Sequence, residues 1–457
     1  MSAGGPHSAQ WASMSEQRRT NVRWFLVFWL FILSAVSFLD RVNISVAASA
    51  IASEYRLSDV QLGWVFSAFL WGYALFQTFG GWLADRLGPR RVLTGGVVWW
   101  GIFTALTAAV SPSLTGAVFF FVLVRFLLGA GEAIIFPASN QFVSLWIPTQ
   151  ERGVANGLIF AGVGAGAGSA PAIVTYIMVH YGWRWSFWLS ALLGLLVGVV
   201  WFLTARDTPE QHASVSPSEL QHIQSGRTTG GSSVEKRASE QADVPSSDSA
   251  TLPWSVILRS KEVWLVTLSY FCFGYVAWIF FSWFHRYLFK IRGLDLKSSA
   301  FYSTLPPLAM VACSLLGGVI NDRLTKAYGK RVGRCGIATF ALFLTAVLLV
   351  LGSRAVSAQL ASLVLAGGAG ALYLAQSSYW SVTADIAGRR AGSTSGFMNM
   401  GAQLGGGVTA VLTPVIAVHL GWTYPFVFAA ILSALGAVAW LAVDPARNLE
   451  CPAQSSS

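Results

Sequence analysis

Two carboxyl groups and two guanidinium groups lie inside long apolar segments of this chain. Asp40 and Arg41 end the run WFLVFWLFILSAVSFLDR, and Arg125 and Glu132 interrupt the run VLVRFLLGAGEAIIFPASN. An ionised group at the centre of a bilayer costs about 3 kcal/mol on insertion scales, so it persists where it is paired, faces water or changes its protonation. All other acidic residues fall in loops, tails or segment ends. The four groups therefore indicate a polar site at membrane depth.

Asp40 and Glu132 are candidate proton carriers. Burial favours the protonated form of a carboxyl group, and a nearby arginine favours the ionised form. When the two effects balance, the group can both bind and release a proton. The alternative is a set of structural ion pairs, Asp40 with Arg41 or Arg125 and Glu132 with Arg125. Arg125 and Glu132 are two helical turns apart and so share one face. Arg41 and Arg125 are the basic candidates for a substrate carboxylate, because a guanidinium keeps its charge when desolvated.

The composition is that of a multi-pass membrane protein. The 457 residues are 54% hydrophobic and 11% charged, whereas about a quarter of residues are charged in soluble domains. A helix needs about 20 apolar residues to cross the hydrocarbon core. The sequence therefore predicts an all-α membrane protein with twelve transmembrane helices. The predicted spans are 24–46, 62–84, 92–110, 116–141, 154–178, 185–204, 262–285, 301–321, 334–352, 358–384, 394–416 and 423–442.

The net charge of +10 arises from basic residues in loops on one side of the membrane, and it does not indicate nucleic-acid binding. Loops on one side hold most of them, and the positive-inside rule makes that side cytoplasmic, together with both termini. Arg18, Arg19 and Arg23 precede the first span and no cleavage site follows it, so we expect this span to be retained. We expect a monomer in the cytoplasmic (inner) membrane that contacts the lipid bilayer and binds no nucleic acid.

No motif in the sequence points to catalysis. The cysteines, Cys272, Cys313, Cys335 and Cys451, lack metal-ligand spacing. The glycine-rich run 162–171 lies inside a predicted span, where small residues serve helix packing. Walker, HExxH and GxSxG elements do not occur in the sequence. We expect no enzymatic activity, no cofactor and no metal site.

The chain consists of two related halves. Gly157 and Gly182 recur as Gly396 and Gly421, both with an offset of 239 residues. From 205 to 253 the composition changes to Ser, Gln, Glu, Gly and Thr, which is typical of a disordered linker. The predicted domains are an N-terminal tail 1–23, an N-terminal six-helix bundle 24–204, a largely disordered cytoplasmic linker 205–261, a C-terminal six-helix bundle 262–442 and a C-terminal tail 443–457.

A loop with the sequence GGWLADRLGPRR follows the second span and recurs in part after the eighth. Asp85 and Arg86 correspond to Asp322 and Arg323. The glycines permit close helix contact. The aspartate and arginine can bind the end of a neighbouring helix while the substrate path is closed on the side of the membrane where this loop lies. A purely topogenic loop would explain the arginines but not the paired aspartates. These four residues are therefore candidate gating residues.

The doubled loop, the six-plus-six layout and the central linker resemble the major facilitator superfamily. Within it, FLDRVNISVA, RFLLGAGEAIIFPASN, GWRWSFWLSALLG and SGFMNMGAQLGG resemble the anion:cation symporter family, whose members include bacterial sugar-acid and aromatic-acid carriers. The resemblance covers nearly all spans and implies the major facilitator fold, with two pseudo-symmetric six-helix bundles. It also implies that Asp40 and Glu132 are protonation sites, that Arg41 contacts the substrate anion and that Arg125 holds Glu132.

The second half has no matching charges, since the repeat places Val364 opposite Arg125. It offers neutral groups that suit hydroxyls, and for each of them ordinary helix packing is the alternative. The candidate substrate-binding residues, including two tyrosines chosen by family position, are Tyr73, Tyr275, Ser377, Ser378, Trp380 and Asn399. Phe38 stands where several sugar-acid members have a tyrosine, which weakens the case for a highly hydroxylated substrate.

These features predict a proton-coupled secondary transporter. We expect a symporter that imports a small organic anion, a sugar acid or another monocarboxylate, by alternating access. Two alternatives remain open: a carboxylate exchanger without proton coupling, and a membrane sensor that keeps the fold but does not transport. The presence of both acids and both arginines, without a signalling domain, speaks against the sensor.

Overall fold

Residues 20–449, except 113, 115, 229–253, 285 and 286, are described by a computed structural model. This part of the chain forms sixteen α-helices and no strand. The helices are α1 Val22–Tyr55, α2 Asp59–Leu87, α3 Pro89–Ala109, α4 Ala117–Glu132, α5 Ile135–Trp146, α6 Arg152–Tyr181, α7 Trp183–Thr204, α8 Pro217–Thr228, α9 Trp254–Arg259, α10 Lys261–Ser282, α11 Leu296–Tyr328, α12 Ile337–Arg354, α13 Ala358–Leu374, α14 Gln376–Ala387, α15 Ala391–Leu420 and α16 Thr423–Leu441. The predicted all-α membrane architecture is confirmed.

Each predicted span corresponds to a helix or a pair of helices in the structure. Within the described ranges, eleven helical segments are long and apolar enough to cross a membrane. The predicted span outside this set is α2, in which residues such as Tyr73 and Gln77 lower the hydropathy. Its 29 residues still exceed the length that a bilayer crossing needs.

The fourth predicted span is broken immediately after Glu132. A turn at Ala133 and Ile134 separates α4 from α5. Pro137 explains the break, because it has no N–H to donate to the carbonyl of Ala133 and is tolerated only in the first turn of the new helix. The tenth predicted span is also broken, between α13 and α14. Glu132 thus occupies the last position of α4.

The two halves of the chain pack in a similar way. In the first half α1 packs on α6, and in the second half α10 packs on α15; across the halves α6 packs on α11 and α2 packs on α15. Glycines face glycines at both crossings: a Cβ on Gly318 would overlap the carbonyl of Gly153, and a Cβ on Gly81 would overlap the carbonyl of Gly392. The absence of side chains there lets the backbones of the two halves touch.

Part of the predicted linker is folded. Residues 205–228 and 254–261 lie within the described chain and contain a short 3-10 turn, Pro209–Gln211, and helices α8 and α9. The remaining predicted linker residues 229–253, the N-terminal tail up to residue 19 and the C-terminal tail from residue 450 lie outside the described residues.

Helix α8 binds the first half near the start of α1. Glu219 is fully buried, accepts a hydrogen bond from Thr20 Oγ1 at 2.6 Å and lies 3.0 Å from Arg23 Nη1. Arg23 Nε also lies 3.0 Å from Glu151 Oε2, and His222 Nε2 lies 2.7 Å from Glu151 Oε1. These five residues, here called the linker clasp, join α8 to the turn that precedes α6.

Candidate functional site

Glu132 and Arg41 form an ion pair between the end of α4 and the middle of α1. Arg41 Nε lies 2.7 Å from Glu132 Oε2, and Ser37 Oγ donates to the same oxygen at 3.2 Å. The Glu132 side chain is fully buried and that of Arg41 is 11% exposed. The Arg41 guanidinium lies 4.1 Å from the centre of the Tyr73 ring. The pair is therefore a charge-assisted hydrogen bond in a nearly dry environment.

Arg125 does not hold Glu132, contrary to the expectation from the family resemblance. Both residues belong to α4, and seven residues separate them by about 10 Å along the helix axis. The Arg125 guanidinium lies over the Phe69 ring, 4.8 Å from its centre. Its Nε and Nη1 are buried and have no hydrogen-bond partner among the described residues. None of the structural ion pairs considered above, including those of Asp40, is formed within the described chain.

Asp40 directly precedes Arg41 on α1 but contacts a different helix. Thr104 Oγ1 of α3 donates a hydrogen bond to Asp40 Oδ2. Both side chains are almost completely buried. Asp40 Oδ1 has no partner among the described atoms. One oxygen of this carboxyl group is therefore fixed, and the other is available to a proton, to water or to a ligand.

Further buried polar atoms without partners surround the ion pair. They are Tyr73 Oη, Glu132 Oε1 and both polar atoms of the Gln77 amide. A buried polar group without a hydrogen bond costs about 1–3 kcal/mol, so such a cluster indicates space for polar ligands or water. Phe69, Tyr73 and Gln77 follow each other at intervals of four residues and share one face of α2. Gln77, Phe69 and Thr104 were not among the sequence candidates, although this spacing could have indicated the first two.

Two candidates in the second half are already engaged in this conformation. Trp380 Nε1 donates to Tyr270 Oη at 3.0 Å, and Ser378 Oγ accepts from Asn321 Nδ2 at 2.7 Å. Both side chains are buried. In this conformation these residues pack helices together.

The other candidates in the second half are buried and neutral. Ser377 Oγ and Tyr275 Oη have no partner among the described residues, and Asn399 is 5% exposed. No charged side chain of the described second half pairs with Asp40, Arg41, Arg125 or Glu132 within 4 Å. The ionic part of the site therefore belongs to the first half.

An aromatic stack lies between this site and the face of the molecule where α1 begins and α16 ends, here called the terminal face. Phe136 of α5 stacks on Phe160 of α6, with centroids 4.9 Å apart, and Phe160 lies 5.0 Å from Trp380 of α14. All three rings are buried. They join the two halves through ring contacts between α5, α6 and α14.

Asp85 connects the halves at the terminal face. Asp85 lies in the last turn of α2. It accepts hydrogen bonds from the backbone N–H of Gly392 at 2.9 Å and of Ser393 at 2.8 Å. Ser393 Oγ also donates to it at 2.5 Å. These donors belong to the first turn of α15, where backbone N–H groups lack helical partners. We call this contact the Asp85 latch.

Asp322 makes the equivalent contact in the opposite direction. It accepts hydrogen bonds from the backbone N–H of Gly153 at 2.8 Å and of Val154 at 2.6 Å, both at the start of α6. Arg334 Nη1 lies 3.0 Å from the same carboxylate. This contact, the Asp322 latch, and the Asp85 latch are related by the internal repeat. Each aspartate of one half caps a helix of the other half.

The arginines of the doubled loop do not take part in these contacts. Arg86 and Arg323 are exposed, and neither forms an ion pair with a described acidic residue. The basic groups at the interface are instead Arg152 and Arg334. Arg152 Nη1 lies 2.6 Å from Asp385 Oδ1, and Arg334 Nε lies 3.3 Å from Asp385 Oδ2. The sequence did not single out this buried network, because its members lie at segment ends.

Two helical halves, a buried charged site in the first half and reciprocal contacts that shut one face define a membrane transporter. No cluster of His, Cys, Asp and Glu within the described chain could hold a metal ion. The chain belongs to the Major Facilitator Superfamily, whose family model matches residues 30–410 and 326–456. It is a transporter and not an enzyme.

Two proteins similar to this chain are named as probable transporters of organic anions. The probable sulfoacetate transporter SauU of Cupriavidus necator is 32% identical over 438 residues, which cover 95% of this chain and 97% of that protein. The probable galactarate/D-glucarate transporter GudP of Bacillus subtilis is 30% identical, over 68% of this chain and 67% of that protein. These relatives fit the anion:cation symporter family that the motifs indicated.

The fold matches that of solved transporters at low sequence identity. The proton:xylose symporter XylE bound to 6-bromo-6-deoxy-D-glucose superimposes with a TM-score of 0.70. The match has 16% identity and covers 93% of this chain and 97% of the other. At this identity the match establishes the shared fold.

Proposed function

We propose that this protein is a proton-coupled symporter that imports a small organic anion by alternating access. The proposal rests on one arrangement: Arg41 is ion-paired with Glu132, while Nε and Nη1 of Arg125 have no hydrogen-bond partner among the described residues. An anion that binds Arg41 competes with the Glu132 carboxylate, so protonation of Glu132 favours anion binding. Because linkage is reciprocal, a bound anion also favours protonation.

Asp40 is the proposed second proton site. Thr104 fixes one of its oxygens, and the other has no partner. Protonation of Asp40 removes a negative charge that otherwise attracts Arg125, so Arg125 becomes a better anion ligand. One acid paired with Arg41 and a second acid that attracts Arg125 without contact would couple two protons to one binding event.

The terminal face is proposed to be cytoplasmic. Its loops are rich in basic residues, as the positive-inside rule requires of cytoplasmic loops. Those near the two latches are Arg86, Arg90, Arg91, Arg152, Arg323, Lys330, Arg331 and Arg334. With this orientation the latches close the cytoplasmic path, and import requires both latches and the aromatic stack to separate.

The coupling role of Glu132 is tested by Glu132→Gln in proteoliposomes. The amide keeps the shape and hydrogen bonding of the side chain but cannot change protonation. We expect loss of uptake driven by a pH gradient, while exchange of anion between the two sides continues. Suitable probes are sulfoacetate, D-glucarate, D-gluconate and acetate. Equal loss of driven uptake and exchange would count against the coupling role.

Glu54→Gln is a matched control. Glu54 lies at the C-terminal end of α1, away from the terminal face, and pairs with Arg184 at 2.8 Å. The Arg184 hydrogen bond lowers the pKa of Glu54, so it stays ionised. This variant should keep gradient-driven uptake. If wild-type exchange ignores an imposed pH gradient, the protein is the carboxylate exchanger. Folded protein that carries none of the probes would favour the non-transporting sensor.

A further inference from the structure

We infer that the transported anion carries two acidic groups on a short chain, one held by Arg41 and the other by Arg125. This inference rests on the proposed function and specifies its substrate. The sequence alone favoured a monocarboxylate. The arrangement of the two guanidinium groups favours a dianion instead.

The two guanidinium groups lie beside the same aromatic ring. The guanidinium carbon of Arg41 is 5.4 Å from the centre of the Phe69 ring, and that of Arg125 is 4.8 Å from it. Both cations are thus neighbours, on α1 and α4, although they repel each other. Two like charges are held this close in a buried site only where anions compensate them. Asp40 and Glu132 do so in the ionised state of the site.

Each guanidinium also presents nitrogen atoms that nothing in the described protein binds. These are Nη2 of Arg41 and Nε and Nη1 of Arg125, all buried. A carboxylate or sulfonate can accept hydrogen bonds from such N–H groups. Because the unoccupied N–H groups belong to two different arginines, a ligand with a single acidic group would leave one guanidinium without an anionic partner.

The charges of the site lead to the same conclusion. When Asp40 and Glu132 are both protonated, Arg41 and Arg125 leave two positive charges. The second half contributes neutral groups at this depth, Ser377 and Tyr275 among them. A dianion makes the loaded site neutral, whereas a monoanion leaves one buried charge uncompensated, which is costly in a dry site. The loaded carrier can therefore close around a dianion at lower cost.

The spacing limits the length of the ligand. Both guanidinium carbons lie within 5.4 Å of one ring centre and are therefore no more than about 10 Å apart, a separation that a short diacid can bridge. Sulfoacetate, malonate and succinate have this form. A long diacid would have to fold back on itself to reach both arginines.

The test compares sulfoacetate with acetate and methanesulfonate, which each carry one of its two acidic groups. Uptake into proteoliposomes is measured with an inward proton gradient. Because a second buried charge pair is formed only with the dianion, we expect the KM for sulfoacetate to be lower than that for either monoanion by a factor of at least about ten. Malonate against acetate gives a second matched pair. Equal KM values, or a preference for the monoanions, would overturn the dianion inference and leave the proposed symport standing.

A potassium diffusion potential gives an independent measurement on the wild-type protein. A dianion with two protons moves no net charge, so its accumulation should not respond to the potential. A monoanion with two protons carries one positive charge, and about 100 mV would change its accumulation about fifty-fold. Sulfoacetate uptake that increases with the potential would contradict a loaded site without net charge. Sulfoacetate uptake that does not depend on the pH gradient would refute proton coupling, but it would not refute the binding of two acidic groups by two arginines.

Arg125→Gln and Arg125→Lys locate the second acidic group. The readout is the ratio of KM for acetate to KM for sulfoacetate. Arg125→Gln should reduce this ratio about tenfold, and Arg125→Lys, which keeps the charge, should preserve part of it. An unchanged ratio in both variants would exclude Arg125 as the second anion ligand. If the variants are not produced as folded protein, the wild-type comparisons above decide the inference.

Discussion

The two latches should set the balance between the conformation closed at the terminal face and the open one. Asp85 and Asp322 accept hydrogen bonds from the opposite half only while this face is shut. On opening, the freed N–H groups and carboxylates are hydrated, so replacing an aspartate by alanine mainly raises the free energy of the closed conformation. The variants Asp85→Ala, Asp322→Ala and their combination therefore report the contribution of each latch.

The magnitude follows from the number and type of hydrogen bonds. Each carboxylate accepts two backbone N–H groups at 2.6–2.9 Å, and a hydrogen bond to a charged group is worth about 1.5–3 kcal/mol net. The lower limit for the two bonds gives about 3 kcal/mol per latch, which is about a 150-fold change in the closed-to-open ratio. The double variant should favour the open conformation more than either single variant.

Distances between spin labels measure this shift. Leu87 at the end of α2 and Tyr328 at the end of α11 are 46% and 69% exposed and lie on opposite halves. Both are replaced by cysteine in a variant without the native cysteines. The distance distribution should move to longer values in the aspartate variants. Arg86→Ala and Arg323→Ala are matched controls on the same loops and should leave it unchanged. An unchanged distribution in the double aspartate variant, or an equal shift in the arginine variants, would refute the latch reasoning.

Three further outcomes are expected. Arg41→Lys should raise the KM for the carried anion about tenfold although the charge is kept, because an ammonium cannot form the two-pronged contact; an unchanged KM would remove Arg41 from the site. Gly318→Ala should lengthen the spin-label distance, because its Cβ would overlap the Gly153 carbonyl, and no lengthening would show that the crossing adapts. Glu219→Ala should lower the free energy of unfolding of the purified protein by about 2 kcal/mol, since Arg23 loses one of its two carboxylate partners and keeps Glu151; Glu210→Ala, at an exposed position, is the control in the same melting experiment, and equal melting temperatures would count against the linker clasp.

The positions of the spans and of the four charged groups could be predicted because both depend on local composition. A run of apolar residues must cross the bilayer, and a charge within it is conspicuous. The break after Glu132 depended on a single residue, Pro137, and was not predicted. Once this proline is considered, the break follows from the missing N–H.

The pairing of the charged groups could not be read from the sequence. Arg125 and Glu132 share α4, so the sequence favoured a contact between them, whereas Glu132 binds Arg41 of α1 at 2.7 Å. That choice depends on how α1 and α4 are rotated against each other. Helix α8 was missed for a related reason: its residues are polar, and its position depends on contacts of Glu219 with the start of α1.

The linker clasp has a consequence for how the protein is made. Arg23 and Glu219 are 196 residues apart, so Arg23 leaves the ribosome before the first span, and Glu219 follows only after the sixth. Until Glu151 and Glu219 have been made, Arg23 is an unneutralised positive charge at the start of α1, which is the signal that retains the start of a span in the cytoplasm. Glu219 then completes its neutralisation and buries it when the first six helices are complete. A copy of α1 inserted in the reverse direction would place Arg23 across the membrane from Glu219, so the same ion pair that stabilises the finished bundle also distinguishes it from a misinserted one.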